Sequence, residues 1–114
     1  MKYYELSTAR LGSSRLRFGE GRLWRADSSN WGVDLLGVRG VARFDWRAPV
    51  RFEAAGAGGE RLAGDALVDA LDQAPPATTR IRLCAGGELA VAAPRGRVRS
   101  SVEAATQEIE REAA

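Results

Sequence analysis

The stretch Arg22–Leu36, RLWRADSSNWGVDLL, consists of two strand-like runs on either side of a polar turn. Asp27, Ser28, Ser29 and Asn30 have short side chains that bond their own backbone and so favour a turn over a continued strand. Arg22–Ala26 before it and Val33–Leu36 after it are extended in pattern, which predicts a hairpin with Trp24 and Trp31 anchoring it to a core.

Upstream, Lys2–Ala9 reads as a strand, Gly12-Ser13-Ser14 interrupts it, and SRLRF from Ser14 to Phe18 alternates apolar and basic residues. The turn signal Gly19-Glu20-Gly21 pairs that run with Arg22–Ala26 as a hairpin. Downstream, Gly37, Gly40, Val41, Phe44 and Trp46 suggest a bulged strand region, and Pro49 opens a strand over Val50–Ala54. Ala55–Gly59, AGAGG, is expected to be a flexible loop.

Asp65–Gln73 places Leu67, Val68 and Leu71 at helical spacing. With Asp65 as N-cap and Pro75-Pro76 as stop, it predicts a short helix. Thr78–Cys84 and Leu89–Ala93 read as a second hairpin, its loop Gly86-Gly87-Glu88 aligning Leu83 with Val91 so that apolar faces match. A final helix starts at Ser100, where Ser100 and Glu103 form a capping box and Val102, Ala105 and Ile109 give a narrow apolar stripe. The expected fold is therefore α+β, one domain over residues 1–114. It is a curved antiparallel sheet or partly closed barrel of about five to seven strands, with one short helix and a C-terminal helix.

Composition restricts chemistry more than it suggests any. The chain has no histidine, which removes imidazole acid–base catalysis, His-activated nucleophiles and His-ligated metals. Lys2 is the only lysine, so a lysine-centred site is disfavoured. The single cysteine, Cys84, precludes an intrachain disulfide and reads as a structural residue of small apolar character. No apolar run is long enough to cross a bilayer as a helix, and no signal-peptide pattern opens the chain, so a cytoplasmic location is expected. The body is mildly basic, while Glu103–Ala114 carries four glutamates against Arg111. No metal site or cofactor is expected, and an enzyme, in the form of a carboxylate-based hydrolase, is the least favoured class.

The spacing Asp27-x-Ser29-x-x-Gly32 resembles the D/N-x-S-x-x-G element of PilZ domains, over about Gly21–Leu36. The resemblance implies a six-stranded barrel that binds cyclic di-GMP, with Asp27, Ser29 and Gly32 in the site beside Arg22 and Arg25. The R-x-x-x-R pair that family carries upstream has no counterpart here, Arg10 and Arg15 being one residue too far apart. Polar turn chemistry alone also accounts for these residue types. A separate candidate is the basic patch Arg39, Arg43, Arg47 and Arg51, a period of four with Phe44, Trp46 and Phe52 interleaved. On one continuous strand it would present one arginine-rich face to nucleic acid. Arg95, Arg97 and Arg99 precede the last helix, whose N-terminus Glu103 already serves.

Taken together, the residues point to a small non-catalytic binding or protein-interaction module. Its alternatives are a PilZ-like cyclic dinucleotide-binding domain and an arginine-patch nucleic-acid binder. A protein partner or a homodimer is expected for an exposed sheet edge or for the last helix.

Overall fold

The computed structural model describes residues 1–39, 47–74 and 78–94. These form eight strands: β1 Lys2–Leu11, β2 Ser14–Leu16, β3 Glu20–Asp27, β4 Asn30–Val38, β5 Val50–Gly56, β6 Arg61–Ala74, β7 Thr78–Ala85 and β8 Ala90–Ala92. The antiparallel order β1-β3-β4-β7-β6-β5 returns to β1 through pairing of β1 with β5, so the sheet closes into a six-stranded barrel. The short strands β2 and β8 extend its rims, on β1 and β6 respectively.

Alternation fills the interior. Leu23 of β3, Val33 and Leu35 of β4, Phe52 of β5, Leu62, Ala66 and Val68 of β6, and Ile81 and Leu83 of β7 are all buried. Register shifts at Leu6/Thr8 in β1, Arg25/Asp27 in β3, Leu35/Val38 in β4 and Val68/Ala70 in β6 bend the strands. Such bulges sharpen the local twist and let a small sheet close on itself. Trp31, 1% exposed, spans the interior beside Phe52, their ring centroids 6.2 Å apart.

The α+β expectation is overturned, because the described residues contain no helix and their sheet is closed. The stretch Asp65–Gln73, read as a helix, is the middle of β6. The bulge explains the misreading: Ala66 and Val68 point inward, the shift resets the phase, and Leu71 packs against the core next, three residues on. An interrupted period of two thus imitates helical spacing. Asp65, Asp69 and Asp72 are exposed residues of this strand.

Three local expectations change with it. β8 pairs with β6, matching Leu62 with Val91, and does not form a hairpin with β7. The β6 strand, 14 residues long, outruns the eight residues of β7, so β8 takes over the rest of its edge. At the handover Gly86 N–H donates to Asp65 O (2.8 Å) and Leu89 N–H donates to Ser28 O (2.7 Å). β2 pairs with β1 across a Gly12-Ser13 turn, where Gly12 has φ +62°, and β3 pairs with β1 and β4. Ala55–Gly59 is no flexible loop: Ala55 and Gly56 belong to β5, and the tight turn after them is closed by Gly59 N–H to Gly56 O at 2.9 Å. The helix expected from Ser100, with Arg95, Arg97 and Arg99 before it, lies outside the described residues. Among the described residues no helix is long and apolar enough to cross a membrane.

Candidate ligand groove on the outer wall

Closure of the barrel turns the outward residues of β3, β4 and β7 into two parallel rows. One runs Glu5–Arg22–Asp34–Arg82, each residue directly opposite the next on the neighbouring strand. The other runs Tyr3–Trp24–Gly32–Cys84–Leu67. Between them and Arg80 lies a groove of about 560 Å³ lined by Arg22, Trp24, Asp34, Leu36, Arg82 and Cys84 among others. That volume is within the ~300–1,000 Å³ of small-molecule sites.

The apolar side of the groove rests on Gly32. A Cβ at this position would lie 2.6 Å from Trp24 Nε1 and 2.7 Å from Cε2 and Cζ2, so the indole lies flat across the glycine backbone. Gly32 is accordingly buried although it lies in the outward phase between inward Trp31 and Val33. The charged side is organised by Asp34. Arg80 Nε donates to Asp34 Oδ1 at 3.0 Å and Arg80 Nη2 donates to Oδ2 at 2.7 Å, a bidentate pair. The hydrogen bonds from Arg80 hold the Asp34 carboxyl below its ordinary pKa, against the opposing effect of its partial burial and with help from the charges of Arg80, Arg82 and Arg22. The same pair raises Arg80. With both oxygens occupied and its proton lost, Asp34 has nothing to offer as a general acid.

The other two arginines differ in circumstance. Arg22 Nε donates to Glu5 Oε2 at 3.2 Å, a pair more than half exposed on both sides and of little energetic weight. Arg82 faces Asp34 across the strand pair, yet it makes no ion pair among the described residues, and its Nε is buried without a hydrogen-bond partner.

The residues proposed from sequence divide among different places. Arg22 lines the groove, whereas Gly32 does not and lies covered by the Trp24 indole. Asp27 and Ser29 sit at the β3–β4 tip, where Asp27 Oδ1 accepts from Ser29 N–H (2.9 Å) and Ser29 Oγ–H (3.0 Å). These bonds lower the Asp27 pKa and close an Asx turn, so the carboxylate serves its own loop. Arg25 is opposite Trp31, in phase with inward-facing Leu23, and its Nε is buried without a partner. Of the basic patch, Arg39 forms an isolated bridge with Arg17, Arg47 lies in a turn, Arg51 is an exposed residue of β5, and Arg43 lies outside the described residues. No one strand carries them.

Trp24, Asp34, Arg80 and Arg82 were not singled out as a site from sequence. The alternation in RIRLC and RLW does put Arg80, Arg82 and Cys84 on one face and Arg22 and Trp24 on another. What joins these faces is the pairing of β4 with β7, which local pattern does not encode. Among the described residues no three His, Cys, Asp or Glu side chains are grouped to hold a metal ion. Comparison with protein-family profiles, with curated proteins and with solved structures finds no match to this chain.

Proposed function

We propose that this chain is a non-catalytic binding module whose groove over β3, β4 and β7 takes a small anionic ligand carrying a flat ring, of the nucleotide class. The observation that carries the reading is that one groove is lined both by Arg82, a guanidinium without an ion pair among the described residues, and by the indole of Trp24. An anionic group would engage the arginine fork, and a planar base would stack on the indole, an interaction that contributes about 1–3 kcal/mol per base. Asp34 and Arg80 act as a strut, locked to one another and fixing the groove's charged side. Cyclic di-GMP is the first ligand to try, since the Asp27-x-Ser29-x-x-Gly32 spacing implies it. The six-stranded closure supports that choice, and the absence of the upstream arginine pair argues for testing mononucleotides alongside.

Calorimetry of the full chain with cyclic di-GMP, GMP and inorganic phosphate tests the proposal. Saturable binding of a nucleotide, weakened by Trp24→Ala and abolished by Arg82→Ala, is the expected result. No heat up to about 1 mM ligand, the weak limit of useful affinity, would overturn it. So would binding that both variants retain unchanged.

A further inference from the structure

A second charged hollow lies on a different part of the barrel wall, over β1, β2, β5 and β6. Its volume is about 260 Å³, and Thr8, Arg10, Arg15, Glu53, Ala55 and Arg61 line it. Two cross-strand rows build it. Arg15 lies directly opposite Arg10, and Arg10 opposite Glu53. In the next row Thr8 is opposite Ala55, and Ala55 opposite Arg61. The alanine leaves an open floor, and the arginines stand around it.

The placement of Arg10 against Arg15 is the informative feature. Directly opposed residues have Cβ atoms only about 4.5–5.5 Å apart, and like charges there are destabilising. A carboxylate would be the ordinary remedy. Glu53 is the one carboxylate lining the hollow, and its nearest ion pair is an exposed one with Arg51 at 3.6 Å. Among the described residues Arg10, Arg15 and Arg61 make no ion pair. Three arginines thus line one small hollow against a single carboxylate, which leaves it net positive.

We infer that this hollow is a phosphoryl-group site. The guanidinium fork matches phosphate oxygens in pairs, and two opposed arginines at strand spacing can grip one tetrahedral anion from both sides. Arg61 closes the third side, and the Thr8 hydroxyl supplies a neutral donor. The anion relieves the repulsion between Arg10 and Arg15, so binding and stability are linked. Both a free polyphosphate and the phosphodiester backbone of a nucleic acid present this chemistry, and the probes separate them.

The test uses the full chain with inorganic tripolyphosphate and, separately, a short oligothymidylate. Thermal melting and calorimetry are followed at low and physiological salt. Wild-type protein is expected to bind at least one probe, to melt higher in its presence, and to lose affinity as salt rises. Arg15→Ser and Arg10→Ser should each weaken binding by about tenfold or more, as loss of a charge-assisted bond requires. Without ligand, Arg15→Ser should not melt below wild type, because it removes the repulsion with Arg10 and no opposed carboxylate. That readout separates a lost site from a damaged fold. Binding of tripolyphosphate alone identifies a small-anion site, and binding of the oligonucleotide a backbone contact. Arg82→Ala and Trp24→Ala should leave this binding intact, so failure here is distinguishable from failure of the groove proposal. Absence of binding by both probes overturns the inference, as does binding indifferent to Arg10 and Arg15. An acidic peptide that outcompetes both probes also overturns it.

Discussion

Replacing Gly32 with alanine tests how the groove is built. The backbone at Gly32 does not have positive φ, so alanine brings no intrinsic strain there. The obstacle is Trp24, whose indole atoms would lie 2.6–2.7 Å from the new methyl where ordinary contact begins at 3.4 Å. The indole must lift away or the strands must part. Lifting it exposes roughly half of the ~150–250 Å² that an aromatic residue buries, about 2–3 kcal/mol at ~25 cal/mol per Å². Parting the strands is overpacking, which costs about 1–3 kcal/mol. Gly32→Ala should therefore destabilise the chain by about 1–3 kcal/mol, about 4 °C in Tm for each kcal/mol at this size. In a Trp24→Ala background the obstacle is gone. Alanine should then stabilise by about 0.5–1 kcal/mol, the usual advantage over glycine inside a strand. The sign reverses, giving a coupling of at least about 1.5 kcal/mol. Urea denaturation followed by far-UV circular dichroism measures all four proteins. Equal cost of Gly32→Ala in both backgrounds would refute the assignment of Gly32 as the seat of the indole.

Trp31 is buried and its Nε1–H donates to Gly87 O at 2.9 Å, so Trp31→Phe should cost about 2–4 kcal/mol from the orphaned carbonyl and lost ring volume, measured by urea denaturation. A change below about 1 kcal/mol would show that this bond does not hold the Gly86–Leu89 segment. Asp34 has a lowered pKa in the folded state, so its contribution is complete above the ordinary value of 3.8 and fades as pH falls through the lower folded value. Asp34→Asn should flatten the acid loss of stability, and parallel wild-type and variant curves between about pH 6 and about pH 2 would contradict the Arg80 pairing. Hydrogen exchange should be slowest in Val33–Leu35 of β4 and at Leu62 and Ala63 of β6, each flanked on both sides by paired strands. Faster exchange there than in β2 would contradict the closed topology.

The central hairpin was legible because its signals are local: alternation in RLW, four turn-forming residues, and alternation again. Its tip folds as turn chemistry requires, with Asp27 bonded to Ser29. β6 was illegible for a physical reason as well, since a bulge at Val68/Ala70 puts apolar residues three apart in a strand. Chain order also misled, because Gly86-Gly87 looks like a hairpin turn while β8 continues along β6. The groove follows the same logic. Each of its residues sits on a readable alternating face, but the partnership of Asp34 with Arg80 depends on a β4–β7 contact made across an intervening stretch of chain. Pairings between distant strands are set by the whole core, and a single strand's pattern does not name its neighbour.

The seam between β1 and β5, which matches Leu11 with Phe52 and Leu6 with Gly56, is one of two long-range pairings, with β4–β7, that closing the barrel requires. The hairpins β1–β2, β3–β4 and β5–β6 can each zip from a nearby turn, whereas the seam joins segments with β2, β3 and β4 between them. Its ring-closure entropy must be met before its hydrogen bonds repay it, placing folding on the order of milliseconds to seconds. Until that moment the two facing edges are bare and able to pair with another chain. Until both long-range pairings form, open strand edges expose the chain to aggregation, and substitutions at Leu11 or Phe52 should appear as slower refolding at high protein concentration.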